Sequence, residues 1–173
     1  DEGVRFTSFY VGASVCSPSR AALLTGRYPI RNMPFNTGPD SKNGLPVEEV
    51  TLADLLSEQG YATMAIGKWH LGHQPEYLPT SRGFDAFYGL PYSNDMILPW
   101  CPWLSEQDTL FLYRDTRKVR EVGFDQENLT IDYTKEALKF IEASAGRPFF
   151  LYLAHSMPHL PVSTSEEFIG KSE

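Results

Sequence analysis

Positions 4–11 alternate apolar and polar side chains with a period near two, which predicts a strand. Ser17-Pro18 then predicts a helix start, with Ser17 as N-cap and Pro18 at the first helical position. The helix runs through Leu24 and stops near Gly26. Positions 28–47 hold four prolines and two glycines and predict a loop. Thr51-Leu-Ala-Asp54 has the spacing of a capping box and opens a second helix that Gly60 ends. A short strand follows at 61–66. Positions 73–128 are rich in aromatics, Gly and Pro and carry little periodicity. Ala137, Leu138 and Ile141 recur at helical spacing within 131–144. After Gly146-Arg-Pro148, positions 149–154 form an unbroken apolar run, the pattern of a strand buried on both faces.

Helices alternating with such strands predict an α/β domain, a largely parallel sheet with helices on both faces. No internal repeat divides it, so a single domain over 1–173 is the economical reading. Open α/β sheets collect ligands beyond the carboxyl ends of their strands. Three predicted strands end just before reactive side chains: Cys16 and Arg20, then Lys68 and His70, then His155 and His159.

Length and composition sharpen this picture. With 173 residues, 42% of them hydrophobic, the chain can bury a proper core. It has no run of 18 apolar residues that would span a membrane. A net charge of −7 argues against a nucleic-acid partner, yet a local cluster of cations can still receive a small anion. Two cysteines, Cys16 and Cys101, make no disulfide framework. The opening Asp1-Glu-Gly-Val-Arg-Phe is not a secretion signal, and the closing Lys171-Ser-Glu173 has no natural stop. The chain is therefore expected to be a fragment, truncated at both ends.

In Cys16-Ser-Pro-Ser-Arg20-Ala-Ala-Leu-Leu-Thr25-Gly-Arg27, the cysteine stands at the positive end of a helix, a place that lowers thiol pKa and favours anions. Arg20 falls in the first turn, against the helix dipole by about 0.3–1 kcal/mol, as a residue serving an anion would. Standing alone, Cys16 reads as a small buried hydrophobe. In Gly67-Lys-Trp-His-Leu-Gly72, Lys68 and His70 are two apart and are expected on one face of a strand end, with Trp69 on the other. A cation beside an imidazole suits an anion that must exchange protons. His70, His73, His155 and His159 raise a zinc alternative, weakened by a strand-and-turn context that does not pair His residues as a helix does. Asn128-Leu-Thr130 is a glycosylation sequon that also reads as turn and capping chemistry.

The run from Cys16 to Arg27 resembles the signature of the formylglycine-dependent sulfatase family, and 60–72 is similar to that family's second signature. Gly83-Phe-Asp85 and Gly89-Leu-Pro-Tyr-Ser-Asn-Asp95 resemble the branch holding arylsulfatase A, arylsulfatase G and N-acetylgalactosamine-6-sulfatase. Positions 148–161 are similar to the family strand that delivers a substrate-binding His, which selects His159 over His155. The resemblance implies an alkaline-phosphatase-like fold, present here as the front part of a catalytic domain, and hydrolysis of sulfate monoesters, aryl sulfates or sulfated sugars.

The resemblance also implies that Cys16 becomes formylglycine through a formylglycine-generating enzyme and is hydrated to a geminal diol. One hydroxyl attacks sulfur, and the second, losing its proton to His70, expels sulfate. Arg20 would contact the formylglycine, with Thr25 and Arg27 as scaffold. Lys68, Ser93 and His159 would bind sulfate, His159 beside the leaving oxygen. The implied metal is calcium, or magnesium, with residue 16 among its ligands and the others outside the chain. The fragment alone is then expected to be inactive. Family habit implies export to periplasm, lysosome or outside. A phosphate or phosphonate ester hydrolase of the same superfamily and an unmodified binding protein are the alternatives.

Overall fold

The computed structural model describes residues 3–105 and 109–171. The first two and last two residues, on which the reading of the termini partly rests, lie outside the described residues. Helix α1 spans Cys16–Thr25 and α2 Leu52–Glu58, and α3 spans Leu129–Ala143. The strands are β1 Ala62–Lys68, β2 Ala86–Leu90, β3 Phe111–Arg114, β4 Arg117–Glu121 and β5 Phe149–Ala154. They form one sheet in the order β4-β3-β2-β1-β5.

β1 is buried along its whole length and pairs in parallel with β2 on one side and β5 on the other. β2 to β3 and β3 to β4 are antiparallel, so four of the five strands run in one direction and β3 alone runs against them. The antiparallel ribbon comes from the stretch whose pattern predicted nothing firm. Side-chain alternation along β1 separates two cores. Met64 and Ile66 pack with Leu129, Tyr133 and Ala137 of α3. Ala65, with Trp69 just beyond the strand, packs with Ala21 and Leu24 of α1 and Ala53 of α2. Helices therefore cover both faces of the sheet.

Gly67 is opposite Gly89 on β2 and Ala154 on β5. A Cβ at Gly67 would overlap the Ala154 carbonyl, and one at Gly89 would overlap the Gly67 carbonyl. This row of small residues draws three strand ends together just before Lys68, the last residue of β1.

Four expectations need correction. Positions 4–11 form no strand. Val4, Phe6, Phe9, Tyr10 and Val11 are exposed, because alternation makes a strand only where a neighbouring ladder accepts it. Helix α1 begins two residues early, with Val15 as N-cap and Cys16 as the first helical residue. β5 is an edge strand among the described residues, with Phe149 and Leu153 exposed, so its apolar run is not buried on both faces. Finally, β1 ends before His70, whose φ of 61° leaves the extended region. Strand alternation therefore cannot place His70 on the face of Lys68.

Candidate active site

The N-terminal tip of α1 is tied down from outside. Val15 offers no side-chain cap. Instead, the Ser17 N–H donates to Asn36 Oδ1 at 2.9 Å, and the Thr37 N–H donates to Ser17 Oγ at 3.2 Å. The loop at 36–37 thereby satisfies a free helix-end donor and fixes Cys16. One turn on, Arg20 Nη1 donates to the Lys68 carbonyl and, at 3.2 Å, to the Tyr152 hydroxyl. A single guanidinium nitrogen so joins α1 to the ends of β1 and β5, leaving the other N–H groups of Arg20 for a ligand. Thr25 bonds the Ala21 carbonyl and receives Asn32 Nδ2, while Arg27 pairs with Glu49 at 2.7 Å. Both are scaffold contacts.

Lys68 is 2% exposed. Its Nζ donates to Ser93 Oγ at 2.8 Å and to Cys16 Sγ at 3.2 Å. Burial pushes the ammonium pKa down. The Cys16 sulfur works against that, Arg20 adds to it, and Asp95 opposes it. Ser93, itself buried, meets Lys68 because β2 runs parallel to β1 and its following turn opens at the same end of the sheet.

His70 is buried, and its Nε2 lies 2.7 Å from the Thr37 carbonyl oxygen. A carbonyl only accepts, so Nε2 carries the hydrogen and the neutral ring keeps its lone pair on Nδ1. That Nδ1 is buried and has no hydrogen-bond partner. Burial and then the Lys68 charge push the pKa down to about 3, with Arg20 and His159 adding smaller pushes against the Thr37 carbonyl. His159, half-buried beyond β5, is thus within electrostatic reach of His70. Its Nδ1–H donates to the Leu160 carbonyl at 2.7 Å, which leaves Nε2 as the outward atom.

Cys16, Arg20, Lys68 and Ser93 therefore form one hydrogen-bonded chain with Tyr152, and His70 and His159 adjoin it. Cys16, Arg20, Tyr152 and Ala154 line a cleft of about 460 Å³. The zinc constellation does not assemble. The His73 ring meets Tyr92 and Gln74, the His155 ring meets Tyr133, and among the described residues no three His, Cys, Asp or Glu side chains gather. Cys101 is buried and unpaired, its thiol donating to the Asp95 carbonyl at 3.5 Å.

Asn36, Thr37 and Tyr152 were not anticipated. The first two sit in a Pro-rich loop without periodicity, and Thr37 acts mainly through backbone groups that have no sequence signature. Tyr152 is one hydroxyl within an apolar run, and its position there is its only signal.

The Sulfatase family model matches residues 1–173. The chain belongs to the sulfatase family. It is 42% identical to arylsulfatase G of Mus musculus, over 95% of this chain and 36% of that protein. It is 40% identical to N-acetylgalactosamine-6-sulfatase of Canis lupus familiaris, over 99% of this chain and 36% of that protein. The crystal structure titled Ps i-CgsB superposes with a TM-score of 0.76 at 35% identity, over 94% of this chain and 39% of that one. This sulfatase chain thus spans about 36% of the curated relatives' length, and its α/β sheet is part of their alkaline-phosphatase-like fold.

Membership implies a modified cysteine and a divalent metal. For the cysteine the surroundings fit: residue 16 meets Lys68 at a helix tip beside an open cleft. For the metal, the described residues of this sulfatase chain do not make a centre by themselves. Among them no helix is long and apolar enough to cross a membrane.

Proposed function

We propose that the full-length protein hydrolyses sulfate monoesters, aryl sulfates or sulfated sugars, with residue 16 converted to formylglycine by a formylglycine-generating enzyme in an exported compartment. The observation that carries this reading is the 3.2 Å contact between Cys16 Sγ and Lys68 Nζ, made where three strand ends and the first turn of α1 converge. Sγ stands in for the oxygen of the modified side chain. Hydrated formylglycine supplies one hydroxyl to attack sulfur and a second whose deprotonation releases sulfate.

Lys68 donates to a sulfate oxygen while Ser93 holds its ammonium in place. Arg20, four positions along α1 from residue 16, has further N–H groups that would meet the modified side chain. His70 accepts the proton of the second hydroxyl at Nδ1, the only nitrogen its tautomer leaves free. A base with a pKa of about 3 is weak at neutral pH; burial is the larger cause, and a bound sulfate would offset only the part that Lys68 and Arg20 add. His159 Nε2 approaches the leaving oxygen. The metal, calcium in our reading, requires donors beyond those described.

Mass spectrometry of the residue-16 peptide, together with rates on sulfate and phosphate monoesters of one aryl alcohol, tests the proposal. An aldehyde at position 16 and faster sulfate turnover are expected. An unmodified thiol in active protein, or preference for the phosphate ester, would overturn it.

A further inference from the structure

Between β2 and the segment after β5 lies a buried amide pair, Asn94 and Gln126, respectively 0% and 1% exposed. Gln126 Nε2 donates to the Asn94 carbonyl at 2.8 Å and to the Gly123 carbonyl at 3.1 Å, which uses both its hydrogens. Its Oε1 must then accept, and it does so from Asn94 Nδ2 at 3.0 Å. The second Asn94 hydrogen is shared between the carbonyls of Leu160 at 3.4 Å and Pro161 at 3.5 Å. Either amide reversed would set oxygen against oxygen, so these carbonyls decide both orientations.

The Leu160 carbonyl is also the acceptor for His159 Nδ1–H. Asn94 therefore grips the oxygen that sets which nitrogen of His159 carries hydrogen. Only Nε2 of that ring is then left for a ligand.

We propose that Asn94, locked by Gln126, is a positioning residue for His159: it holds the Leu160 carbonyl, and with it the ring's tautomer and aim. The catalytic consequence rests on the sulfatase reading, whereas the tautomer does not.

The test uses full-length protein with 15N-labelled histidine, in wild type and in Asn94→Ser and Gln126→Met variants whose fold is checked by circular dichroism. Wild-type His159 should show a protonated Nδ1 and a bare Nε2 when neutral. Both variants should mix the tautomers, and kcat on an aryl sulfate should fall by about tenfold to a hundredfold with KM little changed, as misaim of a reacting group does. Wild-type His159 protonated on Nε2 would overturn the proposal whether or not any variant folds. So would folded variants that keep both the wild-type tautomer and kcat. Wild type that hydrolyses no sulfate ester while its His159 tautomer responds to Asn94 would sink the sulfatase reading and leave the positioning role standing.

Discussion

His70 couples the chemistry of the site to the stability of the chain. Folded, it stays neutral down to a pKa of about 3, whereas in the unfolded chain it takes a proton below its ordinary 6.5. Between these values the unfolded state holds more protons, so stability rises with pH and is lost as pH falls from about 6.5 toward 3. The slope from this one ring approaches about 1.4 kcal/mol per pH unit. His70→Gln keeps a donor for the Thr37 carbonyl and cannot titrate. Its denaturant midpoints over this range should lose that slope relative to wild type. An unchanged slope would mean that His70 is solvated or charged in the native state.

At the scale of elements, α2 depends most on local chemistry. Thr51 and Asp54 complete a reciprocal capping box, and Thr51 Oγ1 also donates to the Arg82 carbonyl at 3.0 Å. Thr51→Ala removes the cap and leaves that buried carbonyl short of a partner. Urea unfolding should report a loss of about 1–2 kcal/mol; no change would show that α2 is held by packing alone. This cap was legible from four residues because capping is local. α3 was legible as a helix from Ala137, Leu138 and Ile141, but only Ala137 of the three is buried, and the buried stripe is Leu129, Tyr133 and Ala137. β1 was legible as a short segment after the Gly60 stop, and it is buried throughout. Positions 4–11 had the period of a strand without a partner ladder, and β3 and β4 had a ladder without a clear period. Cys16, Arg20 and Lys68 could be read because side chains carry their chemistry. The carbonyls of Thr37 and Leu160, which decide the tautomers of His70 and His159, could not, because every residue has one.

Across the whole molecule, the two sheet edges are guarded differently. β4 reads Arg-Lys-Val-Arg-Glu and is exposed throughout, and charges of this kind discourage a further strand from pairing there. β5 reads Phe-Phe-Leu-Tyr-Leu-Ala with no charge, and Phe149 and Leu153 are exposed at 40% and 39%. Near the amino end, Val4, Phe6, Phe9, Tyr10 and Val11 add further exposed apolar surface. Unpaired backbone beside apolar side chains is a template for association, and a net charge of −7 spread over the chain does not shield one edge. The 173-residue chain by itself should therefore self-associate through β5. Light scattering should detect species larger than monomer at micromolar concentration, and the double variant Phe149→Lys, Leu153→Lys should restore the monomer by giving β5 the charge that β4 already has. A lysine on β4, placed at Val119, should have no such effect. If the wild-type chain stays monomeric, or if only the β4 change alters its size, β5 is not the exposed template that its sequence and position make it.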